Sequence, residues 1–198
     1  MKIIGITGGI GSGKTQVLAY IGKKYNCRIL LADEVAHKVK EPGQECHQAL
    51  AKLLGPEILM PDGQIDRAAM AEKIFSDETL LREVNGLIHP AVKKYILSAI
   101  ERARGEEGLD FLFIEAALLI EDGYGEIVDE LWYIYAPEPV RRERLKQSRS
   151  YSEEKITGIF GRQLSEAEYR KHCRTVIDNG GGLADTYRQI DRKLEEYL

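Results

Sequence analysis

Five short apolar runs divide the chain and predict its strands. They occupy residues 2–7, 28–32, 110–115, 130–136 and 175–178. The first run is rich in isoleucine and alternates little, which is typical of a strand buried on both faces. Helical patterns separate the runs, and strands that alternate with helices predict a parallel α/β sheet covered on both faces.

Apolar residues at helical spacing mark the segments between these strands. A helix is expected to follow a glycine-rich loop and to continue to about Tyr25, with Val17, Leu18 and Ile21 on its buried side. Further helices are predicted over residues 44–54, 67–75, 79–88, 91–104 and 183–198. The His89-Pro90 pair separates two of them, because proline is favoured in the first turn of a helix.

The lengths of the segments between strands suggest three parts. The predicted core comprises about residues 1–36, 106–137 and 174–198. Between the second and third strands lie helical signals only, over about residues 37–105. Because α/β proteins place ligands at the carboxyl ends of their strands, this insertion is predicted to bind an acceptor substrate. Residues 138–173 are polar and rich in arginine, and we expect them to form a lid.

Composition narrows the class of protein. The 198 residues are 43% hydrophobic and 30% charged, as in an ordinary globular domain. A net charge of −4 predicts no nucleic-acid partner and no binding to a membrane surface. Apolar runs are too short to cross a bilayer, and the glycines begin too early for a signal peptide. Three widely spaced cysteines favour reduced thiols and a cytoplasmic location.

Residues 8–15 read G-x-x-x-x-G-K-T between a predicted strand and a predicted helix. Glycines let the backbone approach phosphates, and the N–H groups then converge on them at the positive end of the helix. Lys14 is expected to bridge the β- and γ-phosphates, and Thr15 to offer its hydroxyl to Mg²⁺. The predicted ATP contacts are Gly8, Gly9, Gly11, Ser12, Gly13, Lys14, Thr15 and Gln16.

Two absences in the sequence narrow the P-loop class. An N-K-x-D motif for reading guanine is lacking, which disfavours a Ras-like GTPase. A hydrophobic strand ending in a clear Walker-B aspartate is also lacking, since the third strand ends in Glu115. A small-molecule kinase needs an acid near the acceptor hydroxyl, and Asp33 at the end of the second strand fits that role. The equally weighted alternative is that Asp33 caps the following helix.

Arginines are concentrated in the predicted lid. Guanidinium groups bind phosphate oxygens bidentately and neutralise the charge that develops during transfer. Glutamates are interleaved with them, so a solvated helix face is the alternative for any single arginine. His89 either meets a phosphate of the acceptor or simply marks a helix start. The arginines are Arg141, Arg142, Arg144, Arg149, Arg162 and Arg170.

Most of the chain resembles the bacterial dephospho-CoA kinases. The matching blocks are G-I-T-G-G-I-G-S-G-K-T from residue 5, A-D-E-V-A-H from 32, G-Q-I-D-R from 63, L-I-H-P-A-V from 87, L-L-I-E from 118 and V-I-D-N from 176. The resemblance implies a three-layer P-loop NTPase fold with a five-stranded parallel sheet, a helical acceptor-binding insertion and a helical lid. It also implies ATP-dependent phosphorylation of the ribose 3′-hydroxyl of dephospho-CoA, the last step of coenzyme A synthesis.

The same resemblance assigns roles to particular residues. Asp33 then corresponds to the family's catalytic aspartate, and Arg144 to a catalytic arginine of the lid. The phosphate-loop motif adds Lys14 as a catalytic residue and Thr15 as the ligand of Mg²⁺, and Asp33 and His89 are expected to contact the acceptor. The remaining lid arginines are Arg141, Arg149, Arg162 and Arg170. Tyr169 stands where a basic residue is usual, and Ile159 where arginine is often found.

The residues alone leave two alternatives to a dephospho-CoA kinase open. One is a P-loop kinase for another small acceptor, such as a nucleoside monophosphate, and the other is a non-catalytic nucleotide-binding module. We expect a monomer or a small homo-oligomer.

Overall fold

The computed structural model describes residues 1–75 and 77–198, which divide into two compact units. The first contains Met1–Ile29 and Glu106–Leu198, and the second contains Leu30–Gly105. The division into a core, an acceptor-binding subdomain and a lid assigns a function to each part of the chain, and it stays a prediction.

The elements alternate along the chain much as the apolar pattern predicts. The strands are β1 (Lys2–Thr7), β2 (Cys27–Leu31), β3 (Phe111–Glu115), β4 (Glu130–Tyr135) and β5 (Thr175–Asp178). The helices are α1 (Lys14–Lys24), α2 (Ala32–Lys38), α3 (Glu45–Leu54), α4 (Arg67–Phe75), α5 (Glu78–Arg104), α6 (Glu138–Arg149), α7 (Glu153–Phe160), α8 (Glu166–His172) and α9 (Leu183–Glu195). Short 3₁₀ turns lie at Pro56–Ile58 and Tyr124–Glu126.

The strands form one parallel sheet in the order β2-β3-β1-β4-β5. In the register, Ile6 of β1 lies beside Glu115 of β3 and Trp132 of β4. Ile4, Ile6 and Trp132 have no exposed surface, which confirms a central strand buried on both faces. The order places the end of β1 between the ends of β3 and β4, at the edge where α/β proteins bind ligands.

Helices α1 and α9 are joined by a polar cluster. Asp191 of α9 accepts hydrogen bonds from the hydroxyls of Tyr20 and Tyr25, at 2.8 and 2.7 Å, and lies 2.7 Å from Lys24 Nζ. Ile190 is fully buried on the same helix. The predicted extension of this helix to Leu198 is wrong, because α9 ends at Glu195 and the terminal Leu198 is exposed, without burial to stabilise a further turn.

Helix α5 corrects the prediction of two helices separated at His89-Pro90. The helix runs unbroken from Glu78 to Arg104 with Pro90 inside it. Proline removes one backbone hydrogen bond and crowds the carbonyl four residues earlier, which here belongs to Gly86. Val84 before the proline and Ile96 after it are both buried, so packing holds the helix together across the gap.

The caps and turns of the second unit follow from local chemistry. Asp66 accepts hydrogen bonds from the N–H groups of Ala68 and Ala69 and so caps α4. A turn at residues 62–63 precedes this cap, with Gly63 at φ 81°. Within the described ranges, no helix is long and apolar enough to span a membrane.

Candidate active site at the phosphate-binding loop

Residues 8–13 form a loop that joins the end of β1 to the start of α1. Gly13 is the N-cap of α1 with φ 92°, a left-handed conformation that glycine adopts without strain. The N–H groups of the first turn therefore face outward at the positive end of an eleven-residue helix. Thr15 and Gln16 follow on this turn and are exposed. The predicted ATP contacts thus lie together in one loop and one helical turn.

Lys14 lies across the mouth of the loop. Its Nζ donates to the carbonyl of Gly8 at 2.8 Å and lies 3.5 Å from Glu115 Oε1. Both side chains are largely buried, with 15% and 17% of their surfaces exposed. The ammonium is therefore held at the loop by one carbonyl and one carboxylate.

Two buried hydroxyl groups occur where β1 meets the loop. In the part of the chain that the structure describes, Thr7 Oγ1 and Ser12 Oγ have no hydrogen-bond partner. Buried polar groups without a partner are rare in native proteins, and a ligand or water commonly completes them. This observation fits a phosphate site at the loop.

Arg141 of α6 supports the loop from one side. Its Nε donates to the carbonyl of Ile10 at 2.9 Å and its Nη2 to Gln163 Oε1 at 2.6 Å. The same Gln163 oxygen accepts the N–H of Ile10 at 3.3 Å. The guanidinium carbon also lies 4.2 Å from the centre of the Phe160 ring, and burial lowers the pKa of the group from its usual value. A Cβ at Gly9 would collide with this guanidinium, so glycine permits the close approach.

Arg144 lies one helical turn beyond Arg141 and binds the other half of the loop. Its Nη1 donates to the carbonyls of Ser12 at 3.2 Å and Gly11 at 3.4 Å, and its Nη2 to the carbonyl of Asn179 at 2.7 Å. The Asn179 side chain donates to the same Ser12 carbonyl at 2.7 Å. Arg144 therefore joins α6, the loop and the segment after β5.

The other predicted lid arginines have their recorded contacts away from the loop. Arg142 pairs with Glu138 and Glu153, each at 2.8 Å. Arg170 pairs with Glu166 at 2.7 Å and lies over the Tyr135 ring. Arg149 lies 5.9 Å from the centre of the Tyr151 ring, and Arg162 is exposed after α7. The solvated-face interpretation therefore describes Arg142 and Arg170 in this conformation.

Tyr169, which replaces a usual basic residue, has a packing role. Its ring stacks on that of Tyr133 with centroids 4.6 Å apart, and only 4% of the residue is exposed. Burial raises the pKa of Tyr133 to about 12, so the pair is neutral at physiological pH. The stack holds α8 against β4.

In the second unit, Asp33 is exposed in the first turn of α2. The capping alternative for Asp33 is wrong, because α2 begins at Ala32, two residues earlier than a cap at 33 requires, and no side chain caps it. His89 is half-buried inside α5 rather than at a helix start.

Two cations, Lys40 and Arg67, act on one another and on His37 near the end of α2 in the same unit. Burial lowers the pKa of Lys40 below its usual value, and Arg67 lowers it further. Burial, Arg67 and Lys40 together lower the pKa of His37. Positive charge therefore accumulates where an anionic group would relieve the repulsion.

Sequence reasoning missed three residues of the site. Glu115 ends a buried strand, and an acid at that position is a usable signal. Gln163 and Asn179 gave little local signal for a loop contact, since they lie far along the chain from Ile10 and Ser12.

The donor set at the loop fits a magnesium ion carried by a nucleotide. The Thr15 hydroxyl and the Glu115 carboxylate are hard oxygen ligands of the kind Mg²⁺ prefers. Among the described residues, no group of three or more His, Cys, Asp or Glu is arranged to hold a metal. One or two protein ligands, completed by phosphate oxygens and water, are characteristic of Mg²⁺ at phosphate sites.

Comparison with known proteins places this site in a family. A family model described as dephospho-CoA kinase matches residues 2–185. A dephospho-CoA kinase of Dehalococcoides mccartyi is 36% identical over 198 residues, covering 100% of this chain and 98% of the relative. A solved Thermus thermophilus protein has a TM-score of 0.80 at 31% identity, covering 100% and 98% of the two chains. A Campylobacter jejuni dephospho-CoA kinase shares the fold, with a TM-score of 0.74 at 22% identity, covering 99% and 97%. The chain belongs to the dephospho-CoA kinase family.

Proposed function

We propose that this kinase transfers the γ-phosphoryl group of ATP to the ribose 3′-hydroxyl of dephospho-CoA, giving coenzyme A and ADP. This reaction is the last step of coenzyme A synthesis. The observation that carries the proposal is the formed phosphate loop with Lys14 held at its mouth, in a chain that matches this family over residues 2–185.

The loop supplies binding and electrostatic stabilisation. Backbone N–H groups of the loop and of the first turn of α1, that of Gly13 among them, receive the phosphate chain, and the Lys14 ammonium faces the β- and γ-phosphates. Phosphoryl transfer through a loose transition state needs mainly positioning and charge stabilisation, which preorganised N–H groups and an ammonium provide.

Thr15 and Glu115 are proposed to hold Mg²⁺, directly or through water. When bound, the ion neutralises negative charge that develops on the phosphate oxygens. Glu115 also balances the charge of Lys14, so the pair keeps the lysine in place when the nucleotide leaves.

Asp33 is proposed to orient the acceptor. Its carboxylate accepts a hydrogen bond from the ribose hydroxyl and directs the oxygen at the γ-phosphorus. The new O–P bond forms as the bond from phosphorus to the bridging oxygen of ADP breaks, and the hydroxyl proton passes to Asp33 and then to solvent. A carboxylate with an ordinary pKa near 3.9 suffices, because positioning dominates this chemistry.

Cations of the second unit are proposed to receive the phosphate groups of the acceptor. Lys40 and Arg67 concentrate positive charge in this unit, and they lower the pKa of the neighbouring His37. Neutralisation by the acceptor would remove their mutual repulsion. His89, predicted from the sequence as an acceptor contact, is assigned to the same role.

The lid is proposed to close over ATP and to exclude water. Arg141, Arg144, Arg149, Arg162 and Arg170 are the predicted phosphate-facing groups, and a closed lid would suppress wasteful hydrolysis. The free thiols of the three cysteines support a cytoplasmic location.

A panel of acceptors tests the function. ADP release is measured with dephospho-CoA, AMP, CMP and no acceptor, and the products are identified by mass spectrometry. We expect rapid ADP release with dephospho-CoA only, and a product carrying one additional phosphoryl group. Faster turnover with AMP or CMP contradicts the proposal, as does tight ATP binding without any acceptor-dependent ADP.

A further inference from the structure

We propose that Asn179 is a positioning residue of the phosphate-binding loop, which turns the Gly13 N–H toward the nucleotide phosphates by holding the Ser12 carbonyl. The inference deepens the proposed function and rests on it only in taking a phosphate chain as the ligand of the loop. It concerns a residue that does not itself touch the reacting atoms.

The Asn179 side chain is fully buried and its orientation is fixed. Its Nδ2 donates to the Ser12 carbonyl at 2.7 Å, and its Oδ1 accepts the Thr186 hydroxyl at 3.0 Å. Because the Ser12 carbonyl can only accept a hydrogen bond, the NH₂ end of the amide is directed at Ser12. The main chain is also anchored, since the N–H of Asn179 donates to the carbonyl of Tyr135 at 2.7 Å.

The hydrogen bond from Asn179 to the Ser12 carbonyl also sets the direction of the Gly13 N–H, because both groups belong to one peptide unit. No cis peptide bond occurs in the described residues, and in a planar trans peptide the N–H points opposite to the C=O. The Ser12 carbonyl is directed at Asn179, so the N–H of Gly13 is directed away from Asn179. Gly13 is the N-cap of α1, where outward-facing N–H groups bind anions.

Arg144 reinforces the same peptide. Its Nη1 donates to the Ser12 carbonyl at 3.2 Å, which gives that oxygen two donors. Its Nη2 donates to the carbonyl of Asn179 at 2.7 Å, so the two residues brace each other. Fixed donors placed before the reaction avoid reorganisation when charge develops, which is the benefit of a preorganised site.

The requirement for glycine at position 13 now has two causes. A side chain there is strained at φ 92°, and its Cβ would also collide with the Nδ2 of Asn179. The close approach of Asn179 and the glycine at 13 therefore belong to one arrangement.

Binding of inorganic tripolyphosphate with Mg²⁺, measured calorimetrically, tests the role without needing adenine or acceptor. The variants are Asn179→Ala and Asn179→Asp. The aspartate side chain has nearly the same shape as asparagine, but its carboxylate cannot donate a hydrogen bond to the Ser12 carbonyl. We expect the dissociation constant to rise about tenfold for Asn179→Ala, the loss of one buried hydrogen bond, and more for Asn179→Asp. The KM for ATP should rise in parallel, while the KM for dephospho-CoA stays within about twofold of its wild-type value, because the Asn179 side chain binds Ser12 of the loop and Thr186 of α9, both in the first unit.

Gln189→Ala is the matched control. Its side-chain amide accepts the Asp178 N–H through Oε1 and donates to the Asp178 carbonyl through Nε2, each at 2.9 Å. These two contacts hold the residue that precedes Asn179 and do not involve the phosphate-binding loop. Tripolyphosphate binding by this variant should be unchanged. Thr186→Val, which keeps the shape but frees the Asn179 amide to rotate, should weaken binding by a smaller factor and serves if Asn179→Ala does not fold.

An unchanged dissociation constant in folded Asn179→Asp, or equal weakening in Gln189→Ala, overturns the proposal. A wild-type protein that binds tripolyphosphate but does not phosphorylate dephospho-CoA would count against the proposed function alone.

Discussion

The phosphate-binding loop and the helices α6–α8 carry positive charge in different ways. In the loop, backbone N–H groups and Lys14 face a site between fixed supports, and Lys14 is balanced by Glu115. In α6–α8, Arg142 and Arg170 are paired with glutamates of neighbouring turns. The loop is therefore prepared for phosphate before it arrives, whereas these arginines must exchange existing partners to reach one.

Arg141 and Arg144 are intermediate between the two cases. Each lies on a lid helix, yet each donates to carbonyls of the loop. An arginine can therefore serve phosphate binding through the backbone it holds as well as by direct contact. The loop should accordingly depend on its lysine, its glycines and these supports in measurable degrees.

Replacement of Lys14 has the largest expected effect. Lys14→Met keeps the length of the side chain and removes its charge, so kcat/KM should fall about 10³-fold, at the upper end for loss of a transition-state donor. Steady-state kinetics under saturating Mg²⁺ measure this loss. Lys23→Met, on the exposed side of the same helix, is the control and should retain wild-type kinetics.

The glycine at the N-cap of α1 is the next point to test. Gly13→Ala combines backbone strain with a clash against Asn179, and we expect ATP binding to weaken about thirtyfold, from roughly 2 kcal/mol. Gly181→Ala is the control, because a Cβ there meets nothing within 4 Å. Titration of ATP into each variant compares them, and equal affinities would contradict a tightly fitted loop.

Two neighbouring arginines sharpen the contrast between the regions. Arg141→Gln removes the donor to the Ile10 carbonyl and should raise the KM for ATP about tenfold. Arg142→Gln breaks surface ion pairs and should change KM less than twofold, since such pairs contribute about 1 kcal/mol or less. Similar KM values for the two variants would show that α6 does not support the loop.

The Asp191 cluster gives the smallest effect and concerns stability. Partial burial acts to raise the pKa of Asp191, but hydrogen bonds from Lys24, Tyr25 and Tyr20 lower it below 3.8. A carboxyl group whose pKa is lower in the folded state than in the unfolded state stabilises the fold at pH values above its unfolded-state pKa. This stabilisation is lost as the pH falls through the folded-state pKa. Asp191→Asn should therefore reduce the free energy of unfolding by about 2 kcal/mol at pH 7. In urea titrations this difference should shrink below pH 3.8, and a constant difference would contradict it.

The sheet and most helices were predictable because their signals are local. Isoleucines without alternation predict β1, and Val17, Leu18 and Ile21 predict the buried face of α1, as observed. The break predicted at Pro90 was wrong because the local preference of proline was outweighed by packing of the residues on either side.

The site was predictable where one stretch of chain builds it. Residues 8–16 lie together as predicted, because glycines and a helix start determine their geometry. The supports from Gln163 and Asn179 were not predictable, because the amides lie more than 150 residues from the loop atoms they contact. The roles of Asp33, His89 and the exposed lid arginines stay predictions.

The central claim, that an acceptor hydroxyl oriented by Asp33 attacks ATP held at the loop, has a direct measurement. The turnover of Asp33→Asn with dephospho-CoA is compared with the dissociation constant of ATP for the same variant, with Glu34→Gln on the same helix as control. The account predicts a fall in kcat of about 10²-fold or more, unchanged ATP affinity and a wild-type Glu34→Gln. Near-normal turnover of Asp33→Asn would contradict it.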